Sequence, residues 1–441
     1  MMRRNALSGG GGLLGIGIAW SQALLVKAIS GGQGHYQHTA FASAAPRPPG
    51  PAHGASAGVG DGVSGVARAR GTDGPGSSSQ QTTARRRAGV RSYGGDGVEG
   101  DGIGGNAKSQ LIFVGTGSST AIPSAFLLLH PELDTPQTAI AQLSVATPPE
   151  VNKNYRGNTS VLVKIVREER SGNNSGDDDG SGSSGGAAGG GARGREDKEP
   201  RARHVQIDTG KTWREGVIRW FPRHGIPGLD GIILTHDHAD AMLGLDDVRS
   251  IQDSNKRSMP TPVHVSEKTD RSVRRVFPYL VGRPEDNGKG GRFVAALKFN
   301  VFQDFQPFEV GGLEVTPFPV LHGEDYVSHG FLFGPPGNKI CYISDVSRVP
   351  PESMEFLQRQ GPIQLLVCDA LNRSRKHPTH FSVEDSVELA GQLKARKTLL
   401  VGLGSSIEYH ETNALLASLE KDVGAPHVRL AYDGLAVDVD L

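Results

Sequence analysis

The run Gly231–Thr235, GIILT, passes without a break into His236-Asp237-His238-Ala239-Asp240. A short apolar run of this length reads as a buried strand. Imidazole and carboxylate groups crowd directly behind its end. The same ending recurs along the chain. LEVTPFPVL runs into His322, KICYIS into Asp345, and VQI into Asp208. A fold that satisfies this sequence must bury several strands and bring their polar ends to one edge.

Composition limits where such a fold lies. The chain has 441 residues, and its 61 glycines and 27 prolines are unevenly spread. Residues 1–107 are rich in Gly, Ala, Ser and Arg, and a second tract at about 171–203 contains SGNNSGDDDGSGSSGGAAGGGARG. Neither buries enough apolar surface to offset the entropy of ordering, so both are expected to be disordered. The folded domain is then residues 108–441, with the Gly/Ser-rich tract as an insertion.

The formal net charge is zero and the pI about 7.3, which argues against a nucleic-acid partner. Cys341 and Cys368 sit in apolar strand-like runs and read as buried thiols, not as a disulfide framework. Near the start, Arg3 and Arg4 precede a broken apolar stretch over residues 13–29, too short for a stable membrane span. The acid-poor, arginine-rich tract behind it gives the segment the look of a two-part organelle presequence, of plastid type.

Within residues 108–441, LIFVGTG reads as a first strand ending in a glycine turn. YRGNTSVLVKIV and VQIDTG are partner strands flanking the insertion. Thr212 and Glu215 match a capping box ahead of a helix. A continuous helix is expected from HDHADA through LGLDDVRSI. GFLFG, KICYISD, IQLLVCD and KTLLVGL read as strands, Ser382–Lys394 and Thr412–Asp422 as helices. VRLAYDGLAVDV reads as a closing hairpin with Asp433-Gly434 at its turn. Strands in two groups, each interspersed with helices, predict an α/β layered fold.

Imidazole nitrogen and carboxylate oxygen suit a divalent ion such as zinc. His236 and His238, two apart at a strand end, can turn toward one ion. Asp240 can reach a neighbouring position, and His322 and Asp345 are candidate ligands from the other strand ends. His377 and His329 read as loop residues.

HDHADA resembles the HxHxDH signature of the metallo-β-lactamase superfamily, and IDTGKT resembles its early aspartate motif. GTGSS, YRGNTS, PVLHGEDYVSHGFLFG and YISDVS resemble the branch that contains cyclic-phosphate phosphodiesterases and tRNase Z. The resemblance covers roughly Ser109 to Leu441. It implies a four-layer αβ/βα sandwich, with His236, His238, Asp240, His322 and Asp345 as metal ligands for Zn2+ or Mn2+. It makes Asp208 the group that orients the metal loop. His380, in KHPTHFSVED, becomes a group that donates a proton to the leaving group or binds the phosphate.

The sequence departs from the family in three places. Ala241 stands where the family has a histidine. Ser405 stands where the branch has another, with His410 several residues on as a replacement ligand. The branch's cysteine cluster is absent. One well-held ion and a weak second are therefore expected. The implied activity is hydrolysis of a nucleotide or sugar phosphodiester by a metal-activated water, which Asp240 and Asp345 orient. The competing readings are a thioester or lactone hydrolase of the glyoxalase type, and a metal-depleted relative that only binds. The partner is a small phosphodiester; homodimers, common on this fold, are a further expectation.

Overall fold

A computed structural model describes residues 108–167, 202–252, 259–281 and 294–441. The expected presequence lies outside the described residues. So does the Gly/Ser-rich insertion, except for its last two positions, of which Arg203 already opens a strand. Among the described residues no helix is long and apolar enough to cross a membrane.

In β1 (Ser109–Gly115), Leu111 and Phe113 point to one face and Ile112 and Val114 to the other. All four are buried. A strand apolar on both faces needs cover on both, which a layered α/β arrangement supplies. β1, β2 (Ser160–Ile165), β3 (Arg203–Ile207), β4 (Gly231–Ile233), β5 (Thr261–Val265) and β6 (Leu297–Val301) lie side by side in chain order. They are antiparallel from β1 to β3 and parallel from β3 to β6.

A second sheet holds β7 (Phe308–Val310), β8 (Leu313–Leu321), β9 (Val327–Phe333), β10 (Lys339–Ile343), β11 (Ile363–Asp369), β12 (Lys397–Val401) and β13 (Val428–Leu430). It is antiparallel as far as β10 and parallel beyond. β14 (Ala436–Val439) returns to the first sheet and pairs antiparallel with β1.

The sheets pack face to face through Leu111, Phe113, Val161 and Ile207 on one side and Phe331, Tyr342, Leu365 and Val367 on the other. The helices in chain order are α1 (Ala125–Leu129), α2 (Pro136–Ala146), α3 (Trp213–Trp220), α4 (Ala239–Met242), α5 (Glu267–Val276), α6 (Pro351–Arg359), α7 (Val383–Gln392) and α8 (Tyr409–Val423). Trp213 and Trp220 of α3 and Val273 of α5 cover the outer face of the first sheet. Leu357 of α6, Val387 of α7 and Leu416 of α8 cover the second, where Cys341 and Cys368 lie as buried free thiols. Each such fully buried aliphatic or aromatic side chain contributes ~1.5–3 kcal/mol. The result is the four-layer αβ/βα sandwich expected from the sequence.

Several local expectations are corrected. Thr212 precedes α3 but forms no capping box. Its hydroxyl accepts from the backbone N–H of Asn158 at 2.7 Å, and its own N–H goes to the Asn158 carboxamide oxygen, which ties the two segments together. The helix after His238 is not continuous: one α-turn, α4, gives way to 3-10 helix over Leu243–Ile251. The backbone N–H of Gly244 donates to Thr209 and that of Thr209 to Ala241, so both ends of this junction are bonded to the Asp208 loop rather than along one helix.

The closing hairpin does not form either, because β13 and β14 belong to different sheets. Asp433 is buried at the crossing, accepting from the Thr116 hydroxyl and the Gly157 N–H, each at 2.7 Å. α8 starts at Tyr409, three residues earlier than expected, since the Glu408 side chain accepts from Glu411 N–H. His329 is not in a loop. It is buried in β9, its Nε2 3.0 Å from Asp304.

Candidate metal centre

The strand ends do converge. Asp208 follows β3 and Asp345 follows β10, both in the left-handed backbone region, at φ 58° and 51°. Non-glycine residues held there cost of order 1 kcal/mol each, so the surrounding structure must fix them. The Asp208 carboxylate is fully buried and accepts from both the N–H (2.8 Å) and the hydroxyl (2.9 and 3.1 Å) of Thr235. Burial raises its pKa well above the ordinary carboxylate value, against the Thr235 bonds that lower it. Asp208 thus holds Thr235, the residue just before the histidines.

Ligand nitrogens of His236, His238 and His322 all lie within 4.8 Å of one another. The Thr235 hydroxyl has one proton, and it is spent on Asp208. It must therefore accept from His236 Nδ1–H, 2.8 Å away. That fixes the tautomer and leaves the lone pair on Nε2, which is buried and has no hydrogen-bond partner. His322 follows the same logic, because its Nδ1 sits 2.7 Å from the Thr379 carbonyl, which can only accept. Burial, with His238 and His322 adding to it, drives the His236 pKa down to about 3 despite the Asp240 charge. Burial also lowers His238. Neutral imidazoles with converging lone pairs are what a divalent cation requires, and an orphaned buried nitrogen is costly without one. The residues fit a metal ion.

Asp345 Oδ1 lies 3.9 Å from His322 Nε2, and Asp345, His322 and His380 form a second ligand-type cluster. Asp240, partly buried on α4, acts on His236 and His238 through its charge but is not among these grouped atoms. His410 is exposed on the first turn of α8, beside Tyr409, and joins neither group. Ala241 is buried under the loop. His377 accepts from Thr379 next to His380.

His380 is held by a residue that sequence reasoning missed. Its Nδ1 is 2.8 Å from Oδ2 of Asp369, a fully buried carboxylate at the end of β11. Burial opposes charge on His380, yet the Asp369 carboxylate outweighs it and lifts the pKa to about 9. Asp369 ends an apolar strand just as Asp345 does, so the same rule could have found it. Asp237 and Tyr326 were also missed. The Tyr326 ring stacks on His238, and its hydroxyl donates to Asp237. No sequence signal marks Tyr326.

Residues 203–402 match the family described as the beta-lactamase superfamily domain. The matched stretch holds the HDHADA, His322 and Asp345 motifs and supports the likeness to the metallo-β-lactamase superfamily. Among solved structures, the chain is similar to a diphosphatase of the PhnP family, at 26% identity and a TM-score of 0.53. The match covers 76% of this chain and 99% of that one. Two relatives match in sequence. An octanoyltransferase of Porphyromonas gingivalis is 24% identical over 238 residues, which are 54% of this chain and 43% of that protein. A ribonuclease Z of Bradyrhizobium diazoefficiens is 28% identical over 141 residues, 32% of this chain and 44% of that protein. The chain therefore spans less than half the length of either curated relative.

Proposed function

We propose that this metallo-β-lactamase-fold protein is a metal-dependent phosphohydrolase acting on a small phosphodiester or diphosphate. The observation that carries the reading is the pairing of two groups. One is the neutral three-histidine cluster with the unpartnered Nε2 of His236; the other is the charged His380 beside it. His236, His238 and His322 would hold one divalent ion. When bound, it supplies Lewis acidity, lowering the pKa of a water and polarising a phosphoryl oxygen. One of Asp345 and Asp240 takes the single proton that the attacking water loses as its oxygen bonds phosphorus, and the other orients that water. His380, with Nδ1 committed to Asp369, gives its Nε2 proton to the departing oxygen as the P–O bond breaks. Ala241 and Ser405 leave a second ion with few ligands, so one ion is expected.

The likeness to a diphosphatase supports phosphoryl chemistry. The relative named as an octanoyltransferase favours a second reading, acyl hydrolysis, although the chain matches under half of that protein. The test is hydrolysis of a chromogenic phosphodiester and of a nucleoside diphosphate by the full chain with zinc or manganese. An octanoyl thioester runs in parallel, with His236→Ala as control. Phosphate release that requires both metal and His236 supports the proposal. Thioester cleavage alone would favour the acyl reading, and a chain that takes up no metal would leave only a binding relative.

A further inference from the structure

Two of the three clustered histidines are fixed through Nδ1, His236 by Thr235 and His322 by Thr379. His238 is different. Among the described residues no group hydrogen-bonds its ring, and its ring-to-ring contacts are with His236, His322 and Tyr326. A histidine χ2 is soft, so an untethered ring samples many planes. The Tyr326 ring lies nearly parallel to His238, at 4.4 Å between centroids and 29° between planes. It also meets His236 and His322 edge-on, each at 5.9 Å.

Tyr326 is itself anchored on every side. Its hydroxyl donates to Asp237 Oδ1 and accepts from the Asp237 N–H at 3.3 Å. Ser272 of α5 donates to the other Asp237 oxygen. Lys268 Nζ stands 3.2 Å above the Tyr326 ring centroid and 4.0 Å from Asp237 Oδ1, giving a cation–π contact and charge neutralisation together. The residue between the two histidines of the motif thus grips the ring that covers one of them.

We propose that Tyr326 is a positioning residue: its ring does for His238 what the Nδ1 hydrogen bonds do for His236 and His322, and so sets the affinity of the three-histidine site for its metal ion. The inference rests on the metal reading of the site. Groups that orient a ligand histidine typically change metal affinity about 10–100-fold.

The experiment is zinc titration of the full chain against a chromophoric chelator, with cobalt absorption spectra as a second readout of ligand geometry. Tyr326→Ala should weaken zinc binding about 10–100-fold and alter the cobalt bands. Tyr326→Phe keeps the ring and should restore most of the affinity. Tyr326→Leu fills volume without stacking and should resemble the alanine variant, which covers the case of an unstable alanine protein. Wild-type affinity in the alanine or leucine variant overturns the inference, as does a phenylalanine variant as weak as alanine. His238→Ala separates the two readings: if the wild-type chain binds zinc no better than this variant, the metal assignment falls, and this inference with it.

Discussion

The Nδ1 of His380 and the Oδ2 of Asp369 lie 2.8 Å apart, joining a loop histidine to the end of a core strand. That contact keeps a proton on the imidazole. His380→Gln and Asp369→Asn should each lower kcat about 10²–10⁴-fold, the range for losing a positioned proton donor. Zinc content measured on the same samples should not change. Equal activity with and without Asp369 would remove His380 from its assigned part.

Gly402 follows β12 at φ +69°, and a Cβ there would sit 2.0 Å from Asp369 Oδ1. Gly402→Ala should therefore cost ~1–3 kcal/mol in stability, from backbone strain and crowding. Because Asp369 must move, activity should fall further than the melting temperature implies. A variant that is destabilised yet fully active when folded would break the link.

Thr235→Val keeps the shape of the residue and removes the hydroxyl that Asp208 and His236 share. Zinc affinity should drop about 10–100-fold, since His236 loses the bond that fixes its tautomer. Chelator competition reads this directly. An unchanged affinity would mean that packing alone holds His236.

Burial pushes the Asp433 carboxyl up to about 7, against the Gly157, Thr116 and Arg156 partners that favour its charge. Unfolded, it titrates near the ordinary value of about 3.9. The folded state therefore binds the extra proton between about pH 4 and 7. Asp433's contribution to stability is fully present below that window and is lost as pH rises through it. Urea unfolding of wild type and Asp433→Asn should show their stability difference shifting against wild type by up to ~1.4 kcal/mol per pH unit across the window. The difference should be flat above it. A pH-independent difference would contradict the assignment.

Strand identity is legible in the sequence where both faces of a core strand are apolar, as in LIFV of β1 and ICYI of β10. Candidate ligands are legible because they terminate those runs. Local pattern fails where tertiary bonds claim the same groups. Thr212 looks like a cap, but Asn158 has its hydroxyl. Asp433-Gly434 looks like a turn, but Asp433 is spent on Thr116 and Gly157. His410 stands close in sequence to the place of a ligand, yet the early start of α8 sets it on an exposed turn. Tyr326 is invisible because stacking on His238 depends on a turn geometry that no spacing encodes.

The strand exchange at the end of the domain bears on synthesis at the ribosome. Among the described residues β1 is the first strand to emerge, and one of its two neighbours, β14, follows it only at Ala436. Until then one edge of the nascent first sheet stays unpaired, an exposed template for unwanted pairing. Closure of that edge marks the moment when the domain is finished.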